Sequence, residues 1–285
     1  MIGDVFMPYE RAENFNTVMI VSSWALVEIE DIVKVAPNGH YWMQMHLFKN
    51  RANTINLVRR AEKLGFKAIV VTCDVPVTNS WKSSYDQEFI ARNMMRRIAN
   101  LKGAVAEIQA AIDEGDTYLM NYMTDQVGSC SKWADIMWLR SLTKLPVIAK
   151  GILTAESARD AANAGVDGII VSAHGGRQLD GVLAPIDALP EVVDAVSGTD
   201  IEVYMDGGIR AGPDILKALA LGAKMVFIGR PILWGLAASG AHGVKDVLDI
   251  LKNELSHTMA LCGCNKVSQA SRSLVRHESH LVSRL

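Results

Sequence analysis

The sequence predicts an α/β fold of the TIM, (β/α)8-type barrel class. Short apolar, β-branched runs alternate along the chain with amphipathic helical stretches. The runs are apolar almost throughout, as a parallel sheet covered on both faces requires. Each run ends in polar or glycine residues, and such barrels gather their chemistry at the carboxyl ends of the strands.

The runs are Thr17–Val21, Tyr41–Leu47, Ala68–Thr72, Pro146–Ala149, Gly168–Ser172, Glu202–Met205 and Met225–Ile228. Seven strands are one short of a closed eight-stranded barrel, and the barrel is favoured because polar, chemically useful residues cluster after every strand, at what would be one rim. An open doubly wound sheet tolerates the same number, but no G-x-G-x-x-G follows the first run. Between the runs, Ala52–Leu64 places Ile55, Val58 and Ala61 on one helical face, with Gly65 as its stop. Thr154 caps a helix over Ala155–Ala164, with Glu156 in its first turn and Gly165 at its end. Asp214–Leu221 closes before Gly222 in the same manner.

The segment Ser80–Ser131 breaks the rhythm and reads as a long insertion, helical around Phe89–Ile112. It is either a lid or a peripheral excursion. With no low-complexity tract or clean linker, residues 1–285 read as a single domain carrying that insertion.

Composition narrows the function classes. A net charge of −2 over 285 residues gives no basic footprint for nucleic acid. No stretch of about 18 apolar residues predicts a membrane span, and the N-terminus lacks the pattern of a secretory signal. Of the four cysteines, only Cys262 and Cys264 are close together, so reduced thiols without metal are expected. The chain ends Ser283-Arg284-Leu285, a conservative variant of the Ser-Lys-Leu peroxisomal address; chance accounts equally for a three-residue match.

The chemistry concentrates after the strands. Ile169–Val171 runs into Ser172, Ala173, His174, Gly175, Gly176 and Arg177. The glycines let the backbone approach a ligand. His174 can accept a proton near neutral pH, and Arg177 can grip a carboxylate with two parallel hydrogen bonds. Asp206-Gly207-Gly208-Ile209-Arg210 and Gly229-Arg230 are strand-to-glycine turns whose N–H groups, with a helix N-terminus, suit a phosphate. Lys150 ends a strand, where it serves an electron-rich ligand or a surface ion pair. Asp74 follows Thr72 and Cys73, either holding the His174 imidazole or acting as an ordinary loop carboxylate.

At these residues the sequence resembles the FMN-dependent 2-hydroxy-acid oxidase/dehydrogenase family, most of all its peroxisomal glycolate (hydroxyacid) oxidase branch. The densest blocks are LPVIAKGILTAESARDA, GIIVSAHGGRQLDG, DGGIRAGPDILKALALGA and VFIGRPILWGLA. Ser22-Ser23-Trp24-Ala25, Gln44 and Thr72-x-Asp74-x-Pro76 add to them. The resemblance implies an FMN enzyme that oxidises a small (S)-2-hydroxy acid to a 2-oxo acid, with O2 going to H2O2. Ser22, Gln44, Thr72, Lys150 and Ser172 would touch the flavin. Asp206, Gly207, Gly208, Ile209, Arg210, Gly229 and Arg230 would hold its ribityl phosphate. His174 would be the base, with Asp74 and Lys150 as catalytic partners and Arg177 on the substrate carboxylate. A homotetramer is implied as well.

The family's opening strand and flavin-cradling loop would lie upstream of Met1. Where the family has an active-site Tyr two residues after the Gln, this chain has His46. Trp81 replaces a second carboxylate-gripping Arg, a loss of about 1.5–3 kcal/mol of substrate binding, and Ala173 replaces the usual Asn. These departures keep a second expectation open: a diverged relative that binds FMN or another ligand without turnover.

Overall fold

The computed structural model describes residues 12–76, 99–101, 108, 110, 113–114, 125–126 and 132–277. The expected substrate contact Trp81, most of the expected insertion at about 80–131, Cys130 and the Ser283–Leu285 tail lie outside them. The chain packs as two compact units. The first comprises residues 1–150 and 163–166, the second residues 151–162 and 167–285.

In the first unit, β1 (Val18–Ser22), β2 (His40–Met45), β3 (Ala68–Thr72) and β4 (Val147–Ile152, whose last two residues pass into the second unit) pair parallel in chain order. Every residue of β3 is buried, as a strand covered on both faces must be. Helices α1 (Ile29–Val35), α2 (Arg51–Lys63) and α3 (Trp133–Leu142) accompany these strands. The expected face of α2 needs correction. Ile55 is exposed, and the buried stripe is Thr54, Leu57, Val58 and Ala61, at spacings of three, one and three. Thr54 enters the stripe because its hydroxyl accepts a hydrogen bond from the Phe48 N–H at 3.1 Å. Arg51 ties α2 to α3 through an ion pair with Asp135 and a guanidinium 3.8 Å from the Trp138 ring centroid.

Most of the expected helix over Phe89–Ile112 lies outside the described residues; within it Ala99–Leu101 is non-helical, and Ile108 and Ala110 are helical. Asn100 is buried to 1 % exposure. Its side chain accepts from the Ile29 N–H at 3.0 Å and donates to the Val27 carbonyl at 3.0 Å, and its carbonyl accepts from Arg60 at 2.8 Å. Arg60 in turn holds Glu30 with two hydrogen bonds, at 2.7 and 2.6 Å. This part of the insertion therefore latches the loop that follows β1.

In the second unit, β5 (Gly168–Val171), β6 (Glu202–Asp206) and β7 (Val226–Phe227) also pair parallel in chain order. They alternate with α4 (Ala155–Asn163; its last residue lies in the first unit), α5 (Pro185–Ala195), α6 (Gly212–Ala220) and α7 (Arg230–Leu261). Thr154 Oγ1 accepts from the Ser157 N–H at 3.2 Å, the expected cap of α4. Helix α6 starts two residues before the expected Asp214, because Asp214 sits inside the first turn and caps it from there. Helix α7 breaks at Ser239–Gly240, where Gly240 has φ 56°. The two segments bring Gly235 against the Gly243 backbone.

The α/β class expected from the sequence stands, with parallel strands in chain order in each unit. Among the described residues no helix is long and apolar enough to cross a membrane.

Gly212, the first residue of α6, packs directly on the backbone of Glu254 and Leu255 in α7. A methyl group there has no flexible neighbour to displace. Gly212→Ala is expected to destabilise the fold by about 1–3 kcal/mol in urea unfolding; an unchanged midpoint would contradict this packing.

Candidate active site

Parallel register alone brings one set of expected residues together. In the first unit Ser22 is the partner of Gln44, and Thr72 is the partner of Lys150. The Gln44 side chain bridges the middle pair, its Nε2 donating to Thr72 Oγ1 at 2.8 Å. Four adjacent strands thus carry Ser22, Gln44, Thr72 and Lys150 as a row at their carboxyl ends. The row offers hydroxyl, amide and ammonium groups, a donor-rich edge that suits a heteroaromatic ring with carbonyl and nitrogen acceptors. Gln44 is fixed further, since its Oε1 accepts from the Ser23 N–H at 3.3 Å. Ser22 Oγ accepts from the Trp24 N–H at 3.1 Å and shapes the turn after β1.

His46 and Asp74 lie just beyond this row. His46 is buried, and its ring meets Trp24 edge-on at 5.8 Å between centroids. Asp74 is half-buried in the loop after β3. The neighbouring Cys73 N–H donates to the Lys150 carbonyl at 2.8 Å, which anchors that loop to β4. Burial pushes the Cys73 thiol up to about 12, and the negative charge of Asp74 adds to the shift.

The second unit carries the remaining expected residues. Ser172 is fully buried at the end of β5. After it the chain enters a tight left-handed turn, with φ of 53° at His174, 66° at Gly175 and 73° at Gly176. Left-handed backbone is routine for glycine and unusual for other residues, although His is among the types that tolerate it. The turn is closed by the Gly176 N–H on the Ala173 carbonyl at 2.9 Å. Ser172 Oγ accepts from the His174 N–H at 3.1 Å, and Arg177 Nε donates to the His174 carbonyl at 3.0 Å. Arg177 is therefore tied to the backbone of His174.

The turn after β6 departs from the expected arrangement in one respect. Gly207 and Gly208 are left-handed, at 87° and 79°, and a Cβ on Gly208 would meet open space, as would one on Gly229. That is room for an anion against bare backbone. The start of α6, however, is already occupied. Asp214 accepts from the N–H groups of Arg210 and Ala211, each at 3.0 Å, and Glu254 accepts from the Gly212 N–H at 2.8 Å. Arg210 can therefore serve a phosphate only through its exposed guanidinium, and Ile209, buried to 4 % exposure, only through its backbone. Only the reach of Asp214 back to the N-cap resembles a capping box, since Ala211 has no side-chain acceptor, so the sequence signal is partial; Glu254, 42 residues along the chain, has no local signal. Asp206 ends β6 half-buried. The Arg230 side chain, expected on the phosphate, instead donates to the Gly175 carbonyl.

No group of three or more His, Cys, Asp or Glu among the described residues could hold a metal ion, and Cys73, Cys262 and Cys264 are free thiols.

Comparison with known proteins places this geometry. Residues 5–277 match the family model described as FMN-dependent dehydrogenase. The chain is 45% identical over 274 residues to 2-Hydroxyacid oxidase 1 of Homo sapiens, covering 96% of this chain and 74% of that protein. It is 49% identical over 257 residues to human 2-Hydroxyacid oxidase 2, covering 90% and 70%. It is 45% identical over 267 residues to a peroxisomal (S)-2-hydroxyacid oxidase of Arabidopsis thaliana, covering 94% and 71%. Among solved structures, a mandelate oxidase mutant with (S)-mandelic acid superposes with a TM-score of 0.76 at 36% identity, over 94% of this chain and 72% of that one. A mutant of the same enzyme with a monooxide FMN adduct gives 0.74 at 35% identity over the same shares.

The Cys73 thiol, titrating near 12, is almost wholly protonated at pH 8, and only thiolate reacts with alkylating reagents. Brief iodoacetamide treatment at pH 8 followed by peptide mapping should label the exposed Cys262 and leave Cys73 unmodified. Labelling of Cys73 at the rate of Cys262 would contradict its placement.

Proposed function

The chain belongs to the FMN-dependent dehydrogenase family, and we propose that it oxidises a small (S)-2-hydroxy acid of the glycolate or lactate type to the 2-oxo acid, with O2 as electron acceptor and H2O2 as second product. The observation that carries this reading is the His174 turn: a titratable side chain on left-handed backbone at a strand's carboxyl end, with an arginine tied to its own carbonyl. A single family match from residue 5 to 277 supports treating residues 1–285 as one functional domain.

The residues present fit FMN on two counts. The Ser22–Gln44–Thr72–Lys150 row suits the ring, with Ser172 completing the set, and the open Gly208 and Gly229 backbone suits the phosphate. Bound FMN would supply the two-electron acceptor for the substrate's 2-hydrogen. His174 takes the proton of the 2-hydroxyl as that hydrogen departs. Asp74 orients the imidazole and stabilises its charged form. Arg177 grips the substrate carboxylate through its two terminal nitrogens, its Nε being engaged on the His174 carbonyl. With FMN bound, the Lys150 ammonium would stabilise negative charge on the ring. Asp206 is an acceptor, so its role is toward ribityl hydroxyls, while Gly207, Gly208, Ile209, Gly229 and Arg230 offer backbone N–H groups and Arg210 positive charge to the phosphate. His46 and Trp81 border the substrate and set which acid fits. Assembly as a homotetramer and a peroxisomal address at Ser283–Leu285 belong to the same reading.

His46 favours a second reading. A buried imidazole packed on Trp24 stands in the position of the family's tyrosine phenol, which suits a flavin or ligand binder without turnover.

The test is direct. Purified protein supplied with FMN should be yellow, and anaerobic glycolate or lactate should bleach it. Protein that stays colourless with added FMN overturns the flavin reading; yellow protein that no 2-hydroxy acid bleaches supports the non-turnover reading. His174→Gln should keep the flavin and slow its reduction by about 10²–10⁴-fold, the usual contribution of a general base. Reduction at the unmodified rate would remove His174 from the role.

A further inference from the structure

We propose that Arg230 is a positioning residue for His174: its guanidinium holds the carbonyl of Gly175 and so ties the turn that carries the base to the turn at the start of α7, where the flavin phosphate is to be held. The inference rests on the proposed roles of His174 as base and of Gly229–Arg230 as part of the phosphate seat.

Three successive left-handed residues are uncommon. Outside glycine each such residue costs about 1–2 kcal/mol, and it persists only where the surroundings over-determine it. At 174–176 three of the ties are local: Ser172 Oγ on the His174 N–H, the Gly176 N–H on the Ala173 carbonyl, and Arg177 Nε on the His174 carbonyl. Such local bonds close a turn but leave it able to swing as a body. The fourth tie comes from 55 positions away, when Arg230 Nη2 donates to the Gly175 carbonyl. A Cβ built on Gly175 would lie 2.5 Å from that nitrogen. The guanidinium thus fills the space a side chain would take. The φ of 66° favours glycine there, and a side chain at 175 would displace the guanidinium from its seat.

The other end of Arg230 is equally constrained. It is the first residue of α7, with Gly229 at the N-cap and Pro231 next in the first turn, where the fixed φ of proline suits a helix start. Backbone N–H groups at a helix start face an anion. One residue therefore turns its backbone toward the phosphate and its side chain toward the turn of the base. A phosphate that orders the Gly229–Arg230 backbone also steadies the root of the arm holding Gly175. Loading the cofactor and placing the base then become one event, without any contact between phosphate and imidazole.

The test compares the full-length protein with Arg230→Met and Arg230→Lys. FMN affinity is read from flavin fluorescence, with riboflavin as the phosphate-free control. The His174 imidazole is observed by NMR in FMN-free, isotopically labelled protein, and flavin reduction by a 2-hydroxy acid is timed anaerobically at saturating FMN. Arg230→Met should split or broaden the His174 signals before any flavin is added, with the far-ultraviolet circular dichroism unchanged. Once saturated with FMN, it should reduce the flavin about ten- to a hundredfold more slowly, the scale of a small misplacement of a reacting group. Arg230→Lys should recover part of both effects, and it takes the place of the methionine variant if that one does not fold.

A variant that binds FMN more weakly than riboflavin's loss would explain, yet keeps the His174 signals and, when saturated, the unmodified reduction rate, makes Arg230 a phosphate ligand only and overturns the proposal. The proposed reaction fails separately. If the unmodified protein binds FMN and no 2-hydroxy acid reduces it, the base role of His174 falls, while the signals of FMN-free protein still decide whether Arg230 fixes the turn.

Discussion

The second unit is organised around a backbone conformation that a side chain ordinarily avoids. His174, Gly175 and Gly176 are all left-handed, and the surrounding bonds from Ser172, Arg177 and Arg230 account for why the chain accepts it. An ordinary strand-to-loop transition would carry residue 174 onward in the strand direction. The left-handed turn instead presents it at the strand end, with the backbone on the far side engaged. Preorganisation of this kind moves conformational cost from the moment of reaction to the moment of folding, where burial of β5 and its neighbours offsets it.

The first unit solves a different problem by simpler means. Its chemistry-bearing residues need no unusual backbone, since parallel register places Ser22 beside Gln44 and Thr72 beside Lys150. The Gln44–Thr72 hydrogen bond then joins the two pairs. Such a row is as rigid as the ladder beneath it, which is why fully buried β3 and the Asn100 latch on the loop after β1 matter at a distance from any chemistry.

Much of this was legible in the sequence. The seven apolar runs correspond to β1–β7 to within three residues at every end, with both ends of β3 coinciding, because burial on both faces leaves an uninterrupted apolar signature. Gly65, Gly165 and Gly222 stop their helices in left-handed conformations, as their positions implied. What stayed hidden depends on contacts between residues far apart in the chain. Ile55 has helical periodicity with Val58 but lies outside the buried face, since the chain's route past Phe48 decides which stripe faces inward. Ala99–Leu101 is non-helical where the local pattern reads helical, because the five hydrogen bonds of Asn100 outweigh a few tenths of a kcal/mol of helix propensity per residue. At the site, residue types after the strands were readable and the reach of their side chains was not. Arg230 reads as a phosphate ligand from its turn, yet its guanidinium lies on Gly175; the N-terminus of α6 reads as an anion seat, yet Asp214 and Glu254 already fill it.

The two carboxylates at α6 also shift where a phosphate gains most. With the helix dipole already answered by Asp214 and Glu254, the left-handed Gly207–Gly208 backbone and the start of α7 become the favourable ground. For the proposed flavin site, that favours a phosphate seat near Arg230, whose side chain reaches the turn carrying His174. The central claim is that this turn holds His174 as the group that receives the hydroxyl proton. A crystal structure of FMN-loaded protein with a slowly turned-over 2-hydroxy acid tests it most directly. The account predicts residues 174–176 still left-handed and an imidazole nitrogen within hydrogen-bonding distance of the 2-hydroxyl. A 2-hydroxyl held by Lys150 or by solvent, with the imidazole turned away, would contradict it.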